Sequence, residues 1–284
     1  MQKVAIVTDS LACLTRELVE RYRIGIVPLN VHFEGKVYKD WVDITPSEAY
    51  ELFLKNPDAF GTSAPSPDDY LEGFREASRR VNNILCVTIS AKLSTTYDVA
   101  HLAKKYAEKE LHGVNIDVLD SNTTTAAEGF VALAAARAAD GGQDLTETAR
   151  AAVEMRDKVR VLILLDTIRH IYRSGRIPKV AAQVGSLLNF RPILSVEGGV
   201  RFIGVVRSRE GGIERMLRAI RSEVGSNPVH VAVMHAYAAE EAERLKERVS
   251  CEFNCAELWV TEFSPIMGYA CGTGTLGLAF YPED

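Results

Sequence analysis

The chain has 284 residues, of which 47% are hydrophobic and 25% charged, and a formal net charge of −5. That is the balance of a folded globular protein large enough to bury a core and still enclose a ligand cavity. Mild acidity with no dense Lys/Arg run argues against a nucleic-acid partner, and no apolar run approaches the roughly 20 residues that span a bilayer.

The opening MQKVAIVTDS enters a strand pattern at once, with no charged n-region, apolar h-region or cleavage site. Five cysteines, an odd count, suit reduced thiols. The expectation is a cytoplasmic protein. VAIVTD (4–9) predicts a strand, and LTRELVERY (14–22) a helix by the spacing of its apolar residues. IGIVPLNVHF (24–33) is a β-rich run that turns at Gly35. ITPSEAYELFLKN (44–56) predicts a helix capped by Thr45, with Pro46 at its first position and Glu48 at capping-box distance. PDDYLEGFREASRR (helix), NILCVTIS (strand), TTYDVAHLAKKYAEKE (helix), VNIDVLDS (strand) and AAEGFVALAAARAADGG (helix with a glycine stop) follow. Apolar strands joined by helices predict a mostly parallel sheet covered on both faces.

A second part is expected from near Val159. VRVLILLDT is strand-like, and IRHIYRSG and KVAAQVGSLLN (179–189) are helical. RPILSVEGGVRFIGVVRS (191–208) predicts a hairpin about Glu197-Gly198-Gly199. GIERMLRAIRSEVG and AEEAERLKERVS are helical, and VHVAVMHA, AELWVTEF and TLGLAFY are strands. The fold class is therefore α/β, an N-terminal mostly parallel sheet with flanking helices plus a C-terminal α+β subdomain. The division falls between residues 1–157 and 158–284.

Several motifs carry less than they first suggest. Gly272-Thr273-Gly274-Thr275-Leu276-Gly277 fits G-x-G-x-x-G, but a dinucleotide fingerprint must open a helix, and a terminal strand follows here. Asp9 ends the first strand, where open α/β sheets place ligand groups, yet an Asp-Ser pair there also caps turns. Cys251 and Cys255, on a predicted loop, lack the second Cys/His pair of a zinc site. Three hydroxyl-rich stretches are stronger. They are Gly61–Pro67, Ser90–Tyr97 and Asp120–Thr125, each at the turn into a helix. Hydroxyls and backbone N–H groups at a helix start suit an anion. Ser66 and Ser94 can equally be plain N-caps. No His in these stretches activates a serine for hydrolysis, so anion binding leads, with a Ser94- or Asp9-dependent hydrolase and a regulatory binder of a small amphiphile as alternatives.

Those loops are also where the chain resembles the DegV family, the fatty-acid-binding subunits of bacterial fatty acid kinase. IVTDS, IVPLNVHFEGKVYKDWVDITPSEAY, GTSAPSPDDY, ISAKLSTTYDVA, IDVLDSNTTT, LLDTIRHIYRSGRI, LLNFRPILSVEGGVRFIGVVRSREGGIERM and GTGTLGLAFY carry the likeness in order along the chain. The resemblance implies that residues 1–157 carry head-group loops and residues 158–284 complete a lipid pocket. It implies a long-chain fatty acid as ligand, no other cofactor, no metal and no catalytic residue, and a DAK-type kinase partner that phosphorylates the carboxylate. Thr62, Ser63, Ser94, Thr95 and Asn189 are the implied ligand residues, and Arg207 the partner-facing one. The family's Ser-Gly-Thr-Tyr reads Ser94-Thr95-Thr96-Tyr97 here, and its near-C-terminal histidine is replaced by Ala270.

Overall fold

The structure, a computed structural model, describes residues 2–167, 170, 175, 176 and 190–283. The helix expected at 179–189, and with it Asn189, lies outside the described residues, as does most of IRHIYRSG.

Strands β1 (Val4–Asp9), β2 (Gly25–Val27), β6 (Asn83–Thr88) and β7 (Asn115–Asp120) form a parallel sheet in the order β2-β1-β6-β7. A six-stranded mixed sheet orders β10 (Gly199–Val206), β9 (Arg191–Glu197), β8 (Arg160–Leu164), β13 (Leu276–Pro282), β11 (Val229–His235) and β12 (Cys255–Glu262). Only β11 and β12 run parallel within it. A small antiparallel sheet, β4-β3-β5, is made by β3 (Asn30–Phe33), β4 (Lys36–Lys39) and β5 (Phe60–Ser63). The α/β class with a parallel N-terminal sheet is thus the one expected.

Helix α5 (Thr125–Asp140) sets the layering. It is apolar nearly all round, and a helix of that kind must be buried on every side. With α6 (Leu145–Lys158) it fills the space between the two large sheets. One core therefore joins Ile6, Leu85 and Val87 of the first sheet to Val161, Ile163 and Ala279 of the second, with Phe130 and Leu133 between them. Helices α3 (Pro67–Ser78) and α4 (Thr96–Glu110) cover the outer face of the parallel sheet, and α7 (Arg209–Val224) and α8 (Ala239–Glu252) that of the mixed one.

Local signals hold well. Thr45 and Glu48 form a reciprocal capping box with Pro46 in the first turn of α2 (Pro46–Lys55). Gly198, at φ +72, turns the expected hairpin between β9 and β10, as only a residue tolerant of the left-handed region can. The run 24–33 is two strands rather than one. Pro28 has no N–H for a ladder, and β2 and β3 separate into different sheets. Short β4 and β5, α6 and α9 (Pro265–Cys271) are additions to the expected elements. Cys251 closes α8 and Cys255 opens β12, so neither occupies the predicted loop. No helix among the described residues is long and apolar enough to cross a membrane.

Gly129 faces the turn before α1 (Arg16–Tyr22), and a Cβ there would overlap the carbonyl oxygen of Ala12 and press on Leu14. Backbone cannot swing aside as a side-chain tip can. Gly129→Ala should lower folding stability by about 1–3 kcal/mol despite the better helix propensity of alanine. Urea denaturation reads this directly, and an unchanged midpoint would mean α5 can shift between the sheets.

Candidate functional site

The C-terminal ends of β1 and β6, the small sheet, α9 and the mixed sheet enclose a cavity with about 800 Å³ of space, its mouth included. Leu11, Leu29 and Ile89, with Ile266 and Met267 of α9 packed against them, line one part of it, and Ile163, Leu194 and Val196 of the mixed sheet line another. Among the described residues the polar side chains lining it are Thr62, Ser63, Ser94, Thr124, Arg176, Tyr269 and Cys271. A long apolar chamber with a handful of donors suits an amphiphile.

The expected residues divide. Thr62 and Ser63 both reach the cavity, but from strand β5 rather than from a helix start. Strand alternation sends them to opposite faces. Thr62 pairs with Val31 on the core side, and Ser63 meets Asn30 and His32, its Oγ 3.1 Å from Asn30 Nδ2 and 2.9 Å from His32 Nε2. Ser94 lines the cavity, and its Oγ accepts from the Thr96 N–H at 3.3 Å and shares a 2.7 Å hydrogen bond with Thr96 Oγ1. Its hydroxyl is thus bonded to the first turn of α4 at the edge of the cavity. Thr95 is exposed at the N-cap position of α4, makes no side-chain cap bond and does not line the cavity. Ser66 is a complete capping box with Asp69. Arg207 is exposed and away from the cavity, its guanidinium 5.6 Å from the Phe190 ring centre. Ala270 and Tyr269 both line the chamber, so Ala270 brings only a methyl group there.

Two residues escape the sequence reading. Arg176 lines the chamber and donates from Nε to the Leu93 carbonyl at 3.3 Å, which brings a guanidinium to the Ser94 loop. Thr124 belongs to the third hydroxyl-rich turn, where composition signals polarity but does not say which hydroxyl faces inward.

Beneath the loops lies a buried acidic hub. Asp9 accepts from the N–H groups of Leu11 and Ile89, both at 3.0 Å, and so ties together two residues of the cavity wall. Glu128, inside α5, accepts from Thr8 Oγ1 at 3.3 Å and lies beside Asp9. Burial drives the Glu128 carboxyl well above the usual carboxylate range, and the Asp9 charge pushes the same way. Burial also raises Asp9, to about 6, against the hydrogen bonds from Ile89, Leu11 and Glu128 that favour its ionised form. Asp40 is likewise raised to about 6 by burial, opposed by hydrogen bonds from Ser264 and Ser10. Burial thus favours the protonated form of both acids, Glu128 more strongly than Asp9. Among the described residues no group of three His, Cys, Asp or Glu side chains is placed to hold a metal ion.

A family profile described as "Uncharacterised protein, DegV family" matches residues 3–283. A DegV domain-containing protein of Streptomyces coelicolor is 34% identical over 282 residues, 97% of each chain. The solved structure described as fatty acid binding of a DegV family protein from Thermus thermophilus superposes with a TM-score of 0.89 at 28% identity, covering 99% of this chain and 100% of that one. The structure of DegV, a fatty acid binding protein from Bacillus subtilis, gives 0.89 at 26% identity, with each chain fully covered.

Folding raises the Glu128 pKa above its unfolded value of 4.5, so its contribution to stability is full below that value and is lost as pH climbs through the folded one. Glutamine can donate to Asp9 without needing a proton. The urea midpoint of the parent should therefore fall more steeply as pH rises above about 4.5 than that of Glu128→Gln. Parallel curves would remove the proton from Glu128.

Proposed function

Because the chain belongs to the DegV family, we propose that it binds one long-chain fatty acid in the chamber and presents the carboxylate to a DAK-type partner kinase, without catalysing a reaction of its own. The observation that carries the reading is the cavity itself, mostly apolar and lined near the Ser94 loop by hydroxyls and Arg176. Relatives of the same fold whose structures are described as fatty-acid-binding support it. Residues 1–157 supply the head-group loops and residues 158–284 much of the tail wall, which we take as the working division of the chain.

Energetics favour such a ligand. Each buried methylene contributes about 0.8 kcal/mol, so a sixteen-carbon tail gains on the order of 10 kcal/mol before association costs. A carboxylate drawn in with it must meet donors or forfeit much of that gain. Ser94 and Thr62 donate from short, stiff side chains, and Arg176 adds the opposite charge. Ser63 sits at the outer face of β5 and serves the mouth. Arg207, exposed near Arg191, faces the kinase in this reading. Hydrolysis has less support: the Ser94 hydroxyl hydrogen-bonds Thr96 rather than a base, and Asp9 is taken up by backbone N–H groups.

Palmitic acid added to delipidated protein at 100 times its dissociation constant should stabilise the fold by about 2.7 kcal/mol. Ser94→Ala should weaken that binding by about 1.5–3 kcal/mol and change the stability of the empty protein by about 1 kcal/mol at most. Calorimetry with and without ligand separates the two effects. A stability loss with undiminished affinity would reduce Ser94 to a cap, and no thermal shift with any long-chain acid would contradict the proposed ligand.

A further inference from the structure

We infer that Thr124 is a further side-chain donor to the carboxylate of the bound acid, an inference that rests on the fatty-acid reading above. Thr124 lines the chamber and is only 1% exposed, and its Oγ1 has no hydrogen-bond partner among the described residues. It occupies the N-cap position of α5 with extended backbone, where a threonine hydroxyl ordinarily accepts from a first-turn N–H, yet it makes no such bond. The helix forgoes its cap, and the hydroxyl is left for something else. One first-turn donor, the Ala126 N–H, meets only the thioether of Met234, at 3.4 Å, a weak acceptor.

The backbone around Thr124 is held under strain. Asn122 and Thr125 lie at φ +55 and +59, and the left-handed region is a real outlier for a β-branched residue. Neighbouring segments hold it there: the Ser90 N–H donates to the Thr123 carbonyl at 2.9 Å, and the Gly198 N–H to the Asn122 carbonyl at 2.5 Å. Strain maintained by surrounding contacts concentrates at ligand sites, and a buried hydroxyl without a partner calls for a functional explanation.

Ser90 also fixes which end of the ligand Thr124 meets. Its N–H reaches Thr123, and its carbonyl accepts from the Ser94 N–H at 3.2 Å. Thr124 and Ser94 are thus joined through one residue, at the head-group end of the chamber. A hydroxyl facing methylenes would only lose its hydration. Facing a carboxylate, it donates a charge-assisted bond, and the positive end of the 16-residue α5 lies behind it.

Thr124→Val keeps the shape and removes only the donor. In delipidated protein it should raise the dissociation constant of palmitate about 10- to 100-fold. Methyl palmitate, whose neutral ester accepts more weakly, should lose by a smaller factor. The empty variant should melt no lower than the parent, since exchanging an unpartnered hydroxyl for a methyl group is neutral or better, and Thr124→Ser should bind as the parent does. Undiminished palmitate binding in Thr124→Val would overturn the inference. So would equal losses for acid and ester, which mean altered shape, or unfolding of the variant, which means a structural role for the hydroxyl. A parent that binds neither probe would overturn the fatty-acid reading, and this one with it.

Discussion

An α-helix apolar on every side can be stable in water only if it is surrounded, and α5 imposes that condition on the whole molecule. Two sheets of different size and topology must both pack on it. A chamber lies beyond the C-terminal edge of the parallel sheet. The small sheet and α9 roof that space over. Its apolar walls are Leu, Ile and Val residues that also belong to the core clusters.

The polar side of the cavity depends on the same helix. Its N-terminus brings Thr124 to the chamber wall, and one turn further Glu128 reaches Asp9. Asp9 in turn ties down Leu11 and Ile89, so the wall is fixed from beneath by a carboxylate that burial would otherwise neutralise. Burial favours the protonated form of these acids over two charges in a medium that solvates neither. The head-group loops thus rest on a polar hub while the tail wall rests on hydrocarbon, and one site suits an amphiphile at both ends.

Much of the fold was legible because its signals are local. Thr45, Pro46 and Glu48 announce α2 within four residues, and Glu197-Gly198-Gly199 announces its hairpin through a backbone conformation glycine readily adopts. What was not legible depends on partners distant in the chain. β5 is four residues long and exists because β3 pairs with it, and the break between β2 and β3 reflects two sheets that sequence does not show. The site divides in the same way. Composition marked three hydroxyl-rich turns, and all three meet at one edge, yet Thr95 points to solvent while Ser94 beside it lines the cavity. That distinction is one of direction, set by where α4 begins. Glu128, in an alanine-rich helical run, gave no sign of a partner near the N-terminus. Arg176 reads as one more charge in a basic segment until the Leu93 carbonyl is seen beside it.

Native mass spectrometry of the protein purified from lipid-replete cells tests the central claim most directly. The account predicts one adduct per chain with the mass of a long-chain fatty acid, released on unfolding. A chain that arrives empty, and stays empty after incubation with such acids, would contradict it.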